Sequence, residues 1–256
     1  MSFRENISIH FTELTKTDKK ITSALLNNPS ILIDRSVQEA SEEMSTSPAA
    51  IMRVVKKLGY KGLANLKIDL EEYSEGTNNS LEHKNQGGIA PIFENYRFYL
   101  DGMEKQLDLA QLERVVKIIR SCKKFRVGGI GSSALSAELF AYSLHYRDVF
   151  VDTITSQTKF FYLSRALEED EVLLLFSVSG NLNFFKPLYK KKREVGAKII
   201  LVTMNHNTKL DFYVDEKIIL PSTSTDFSEK DNISQLENRF GFLIFSEILS
   251  NLYFNG

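Results

Sequence analysis

The sequence predicts a two-part protein of mixed class, an all-α helix-turn-helix bundle followed by a doubly wound parallel α/β sheet. Three observations predict it. Up to about Tyr73 the chain reads as short helices separated by polar turns. From about Leu107 onward, short β-rich apolar runs alternate with amphipathic helical stretches, the pattern of a parallel sheet covered on both faces. Between them, Ser74–Ser80 and Asn85–Gly88 lack any apolar period and have linker composition. The expected organisation is a helical domain over 1–75, a linker and connecting helix over 76–106, and an α/β domain over 107–256.

In the first part, Thr15 with Asp18 three residues on is close to a capping box, and Ile21, Ala24 and Leu25 follow at helical spacing. Asn27, Asn28 and Pro29 stop that helix. Ser36 and Glu39 form a full capping box that opens a second, short helix. After Met44-Ser45-Thr46, Ser47 as N-cap and Pro48 at the first helical position start a third. Its Ile51, Val54, Val55 and Leu58 form an apolar stripe, and Gly59 closes it. Two short helices across a tight turn match a helix-turn-helix.

Charge is distributed to suit that motif. The whole chain of 256 residues has net charge −1, so any nucleic-acid signal must be local. Met44–Ile68 carries five cations (Arg53, Lys56, Lys57, Lys61 and Lys67) and no acid, whereas residues 1–43 are net acidic. Cations on an exposed helix meet DNA phosphates, and small residues at its start approach base edges closely. The candidate DNA contacts are Ser45, Thr46, Ser47, Ala49, Ala50, Arg53, Lys56, Lys57 and Lys61. A three-helix bundle with a solvated basic face is the alternative.

In the second part, strands are expected over Phe125–Ile130, Val149–Val151, Val172–Phe176, Lys198–Val202 and Lys217–Leu220, with a last helix over Asn232–Phe254. The first strand runs into Gly128-Gly129-Ile130-Gly131-Ser132-Ser133 and the third into Ser177-Val178-Ser179-Gly180-Asn181, each ahead of a helix. Backbone N–H groups and hydroxyls at such junctions surround an anion, at the end of the sheet where open α/β folds bind ligands. Gly131, Ser132, Ser133, Ser177, Ser179, Gly180 and Asn181 are the candidate ligand residues. The glycine run lacks the third glycine of a dinucleotide fingerprint, so no cofactor is expected.

These residues also carry a resemblance. Leu14-Thr15, Asn28-Pro29, Ser47-Pro48-Ala49-Ala50-Ile51 and above all Lys56–Lys67 (KKLGYKGLANLK) resemble the N-terminal domain of RpiR/MurR-type regulators. Gly129–Ser133, Ser177–Asn181 and Glu194–Thr203 resemble a SIS (sugar isomerase) domain, a five-stranded, flavodoxin-like fold. The resemblance implies a regulator that binds a double-stranded DNA operator, as a homodimer or homotetramer, and responds to a phosphorylated sugar held by Ser133, Ser177 and Ser179. Leu182 stands where such domains usually place threonine, which removes a donor, and Pro187 is expected to kink or shorten the following helix.

The remaining features mark exclusions. A lone Cys122 gives neither a disulfide nor a zinc pair, and His10, His83, His145 and His206 show no metal-ligand spacing. No stretch reads as a secretory signal or a membrane span, so a cytoplasmic protein without a membrane partner is expected. Glu168–Glu171 reads as a solvated acidic turn, Lys190–Arg193 as a basic helix face, and Ser222–Thr225 as a polar loop or a lid. The apolar last helix is expected to make a subunit contact, holding two recognition helices about 34 Å apart, one turn of DNA. Two other functions compete: a sugar-phosphate isomerase with Glu138, His145 or Glu237 as base, and a regulator whose SIS domain only dimerises.

Overall fold

The computed structural model describes residues 3–10, 13–80, 89–206, 208–221 and 240–256. They form two compact units that divide between Arg97 and Phe98. The first holds α1 (Phe3–His10), α2 (Lys16–Asn27), α3 (Ser30–Ile33), α4 (Val37–Glu43), α5 (Pro48–Lys57) and α6 (Leu63–Ser80). The three helices legible in the sequence are α2, α4 and α5, and their caps are formed as expected. The Thr15 and Ser36 capping boxes make both reciprocal bonds, and the Ser47 hydroxyl accepts from the Ala50 N–H. Gly59 follows α5 with φ +84°, a left-handed turn that suits glycine.

Helices α1, α3 and α6 go beyond the sequence reading. Phe3 and Ile7 of α1 are fully buried, but one i, i+4 pair in a single short helix leaves no visible period. Helix α6 continues to Ser80 through the segment read as linker. Adding residues to an existing helix is cheap compared with nucleating one, so polar composition did not end it.

Helix α7 (Ala90–Gln106) leads into the second unit, which contains α8 (Leu109–Ser121), β1 (Lys124–Gly129), α9 (Ser132–His145), β2 (Asp152–Ile154) and α10 (Gln157–Ala166). Then follow β3 (Glu171–Phe176), α11 (Leu182–Val195), β4 (Lys198–Thr203), β5 (Glu216–Ile219) and α12 (Phe240–Asn255). The sheet is wholly parallel in the order β2-β1-β3-β4-β5, the flavodoxin-like order expected. Odd-numbered residues of β3 and β4 (Leu173, Leu175, Ile199 and Leu201) pack under α10 and α11. On the other face Phe176 meets Phe242 and Phe245 of α12, and Phe125 meets Phe140 of α9.

Three sequence expectations are corrected. Strand β2 begins at Asp152, directly after the expected run Val149–Val151. The backbone of Val151 is bonded to the His145 imidazole at 3.0 Å and the Phe150 ring stacks on it, so this run closes α9 and does not pair with β1. Pro187 does not shorten α11, which runs on to Val195 with the proline on its exposed side. Glu171 is not a solvated acid but is buried in an ion pair with Arg126. The expected start of the last helix, Asn232, lies outside the described residues.

Candidate DNA interface and anion site

Within the helical unit, α4, the turn Met44–Thr46 and α5 make the helix-turn-helix. Ser45 occupies the left-handed region at φ 49°, which reverses the chain sharply between the two helices. The amphipathic pattern of α5 decides what faces outward. Ile51, Val54 and Val55 are buried, while Ser45, Ser47, Ala49, Arg53, Lys56 and Lys61 are exposed and Thr46 and Lys57 half-buried. Ala50 is only 6% exposed and faces the core with Val54, four residues on, so it is withdrawn from the set of DNA contacts.

The structure also pairs two of the predicted cations. Asp18, on the first turn of α2, is fully buried. Its Oδ1 accepts from Arg53 Nε (3.1 Å) and Nη2 (3.0 Å), and its Oδ2 from Lys57 Nζ (2.6 Å) and the Thr15 N–H (3.0 Å). Burial by itself would raise the Asp18 carboxyl, but the bonds from Lys57, Thr15 and Arg53 outweigh it and hold it below the usual carboxylate range. Lys57 Nζ also donates to the Glu13 carbonyl at 3.0 Å. Arg53 keeps a half-exposed guanidinium, whereas Lys57 is committed to the clamp between α2 and α5. Sequence spacing could not show this, because 35 and 39 residues separate Asp18 from its partners.

In the α/β unit, the two serine-bearing turns leave adjacent strand ends. Gly129 of β1 pairs with Phe176 of β3, so Ile130–Ser133 and Ser177–Asn181 start side by side. This is the switch point of the sheet, because the chain passes outward from β1 to β2 and then back to β3. A side chain on Gly129 would come within 2.5 Å of the Ser133 carbonyl, so glycine there lets α9 start directly on the strand end. Gly131, at φ 63° and ψ −132°, caps α9 in a conformation reserved for glycine. Ser133 is buried and Ser132 half-buried on the first turn of α9.

The second turn is braced from β4 by residues the sequence reading assigned no role. Thr203 Oγ1 donates to the Val178 carbonyl (2.8 Å) and Asn205 Nδ2 to that of Ser179 (2.7 Å), both from buried positions. Ser177 Oγ accepts from the Gly180 N–H (3.2 Å), and Asn181 Oδ1 caps α11 through the Phe184 N–H (3.1 Å). Gly180 has φ 61°, and a Cβ there would meet Leu210 at 2.9 Å. Leu182 is half-buried against the apolar cluster that includes Phe185 and Leu210. The visible signal for Thr203 and Asn205 was their place at the end of an apolar strand and just after it.

Other candidates lie elsewhere. Glu138 faces outward from the middle of α9, and His145 ends that helix, about 18 Å from its first turn. Lys192 pairs with Asp215 and Arg193 donates to the Phe212 carbonyl, so the basic face of α11 is tied to the segment before β5. Among the described residues no three of His, Cys, Asp and Glu gather as metal ligands, and no helix is long and apolar enough to cross a membrane. Ser222–Thr225 and Glu237 lie outside the described residues.

Residues 1–76 match the helix-turn-helix domain of the rpiR family. The N-terminal domain is an RpiR-family helix-turn-helix domain. Over 82% of its length the chain is 25% identical to an uncharacterized HTH-type transcriptional regulator of Haemophilus influenzae, covering 76% of that protein. The NanR protein of Vibrio vulnificus, solved with ManNAc-6P, superposes with a TM-score of 0.53 at 16% identity, over 98% of this chain and 89% of that one. The sugar isomerase domain of an RpiR transcription factor from Sphaerobacter thermophilus superposes with a TM-score of 0.54 at 14% identity, over 65% of this chain and 90% of that one. A phosphoheptose isomerase from Francisella tularensis gives 0.51 at 16% identity, over 67% and 100%. The second unit therefore has the sugar isomerase fold, one shared by regulators and enzymes.

Proposed function

We propose that this chain is a cytoplasmic transcription regulator that binds duplex DNA through α5 and is tuned by a phosphorylated sugar at the β1–β3 switch point. The observation that carries the reading is the exposed face of α5, which presents Ala49, Arg53 and Lys56 on a helix whose inner face is fully packed in an RpiR-type domain. A helix with this surface enters a major groove, with Lys56 and Lys61 neutralising phosphates and Arg53 held in place by Asp18. The adjoining turns of Ser133, Ser177 and Ser179 suit a phosphate, which fits the ligand of the NanR structure. An effector that binds one arrangement of a homodimer or homotetramer more tightly shifts DNA affinity by about 5–150-fold, a coupling of ~1–3 kcal/mol.

Two placements weigh against an isomerase. Glu138 is exposed in the middle of α9, past its first turn, and His145 ends α9 at the far end of that helix. Leu182 favours a variant in which the α/β domain serves only to assemble the regulator, since it adds an apolar group where a donor would sit. A gel shift on the chain's own promoter region at low salt, with and without a panel of sugar phosphates, separates the readings. Binding altered by one of them supports the proposal. No binding under any condition overturns it, and binding indifferent to the whole panel leaves the assembly-only regulator.

A further inference from the structure

A cleft of about 320 Å³ opens beside α11 in the α/β unit, lined by Lys186, Tyr189, Lys190, Arg193, Glu194 and Tyr213. Its inner wall is apolar: Tyr189 is buried, and its ring centroid lies 5.4 Å from that of Tyr213. Lys186, Lys190 and Arg193 recur at i, i+4 and i+7, so they share one face of α11 over about 10 Å. All three are exposed and form the rim. Among the described residues Lys186 makes no ion pair, and Lys190 pairs with the exposed Glu194 at 3.8 Å. Arg193 lies over the Tyr213 ring and donates one N–H to the Phe212 carbonyl. The inner wall is also joined to the anion turn. The Tyr189 hydroxyl donates to the Gly180 carbonyl at 3.4 Å. The Tyr213 N–H donates to the Leu210 carbonyl at 2.9 Å, and the Leu210 side chain fills the space beside Gly180.

We propose that this cleft is a second ligand site, that it takes a nucleoside monophosphate, and that its occupancy is felt by the Ser177–Asn181 turn. Charge is the first argument. A phosphate monoester carries about −1.5 to −2 at neutral pH, which three cations against one acid balance. The second is the division between rim and wall. A planar base covers the tyrosine wall, while the phosphate stays at the cationic mouth, where it keeps part of its hydration. Inorganic phosphate or a sugar phosphate would leave that wall uncovered. Size is the third. Small-molecule clefts begin at about 300 Å³ and combine apolar walls with a few polar groups, so this one suits a mononucleotide and not a larger cofactor. A base seated against Tyr189 and Tyr213 holds the bond to Gly180 and the Leu210 contact in place, which restricts the anion turn.

The test needs neither DNA nor a sugar phosphate, so its failure is distinguishable from failure of the proposed function. Calorimetry of the full chain with AMP should show binding, with adenosine and inorganic phosphate each at least about tenfold weaker. The double variant Lys186→Ala, Lys190→Ala removes two exposed side chains and should weaken AMP by about tenfold or more. Hydrogen exchange followed by mass spectrometry supplies the second readout. AMP should slow exchange over Lys186–Glu194 and over Ser177–Asn181, and Tyr189→Phe should keep the first effect and lose the second. No AMP binding at millimolar concentration overturns the proposal. So does a double variant that binds AMP as tightly as the wild type, or adenosine that binds as well as AMP. Protection confined to Ser177–Asn181 also overturns it, because the nucleotide's phosphate then sits in the anion turn and the cleft is empty.

Discussion

At the scale of single residues, Asp18 ties the reading helix to its own domain. Both of its oxygens are occupied by α5 cations and by its own cap. Asp18→Asn should destabilise the helical domain by about 1.5–3 kcal/mol, the value of hydrogen bonds to a charged group, in urea unfolding followed by circular dichroism. Because the folded carboxyl is held below its unfolded value near 3.9, its contribution is fully present above about pH 4 and is lost as pH falls through the lower folded value. Wild-type stability should thus fall in acid more steeply than that of Asp18→Asn. Gly180 is the corresponding residue of the anion site. Gly180→Ala puts a side chain at φ 61° and into Leu210, so it should cost about 1 kcal/mol or more and lower affinity for a phosphorylated sugar by calorimetry.

At the scale of elements, the cations of α5 and of the turn after it divide between two tasks. Lys56 on α5 and Lys61 in the turn are exposed, whereas Lys57 is bonded to Asp18 and to the Glu13 carbonyl. Each phosphate contact contributes about 0.9 to the slope of log affinity against log salt. Lys56→Ala and Lys61→Ala should each reduce that slope by about one, measured by fluorescence anisotropy on operator DNA. Lys57→Ala should lower stability while changing the slope less, a reversal of what sequence alone suggests for this lysine. For α11, Leu182→Thr places a hydroxyl at the first position of the helix and should tighten sugar-phosphate binding by up to about tenfold, about 1.4 kcal/mol. Much of this scale was legible, because caps and stripes are local. Ser36-x-x-Glu39 and Ser47-Pro48 placed α4 and α5, and uninterrupted apolar runs placed β3 and β4. Strand β2 was displaced because Val149–Val151 has strand composition but gives its backbone to His145.

At the scale of the whole molecule, each of the two units has its own core, one carrying the candidate nucleic-acid surface and the other the candidate anion site. Regulation then requires an assembly that both sites bias. The shared fold of regulators and isomerases makes the site's residues, and not the architecture, the basis for assigning function.

Taken by itself, the amino-acid order determined what depends on neighbours a few positions away. Helix caps, apolar periodicity, the cluster of cations after Met44 and the two glycine–serine turns are of this kind, and with them came the fold and both candidate surfaces. Tertiary structure alone decided which charges are free and which apolar faces are covered. Asp18 reaches Lys57 across 39 residues, Thr203 and Asn205 brace the Ser177 turn from the next strand, and α12 covers one face of α9. The physical reason is that burial and pairing depend on what the folded chain brings close, whereas a local pattern records only which groups are available to be buried or paired.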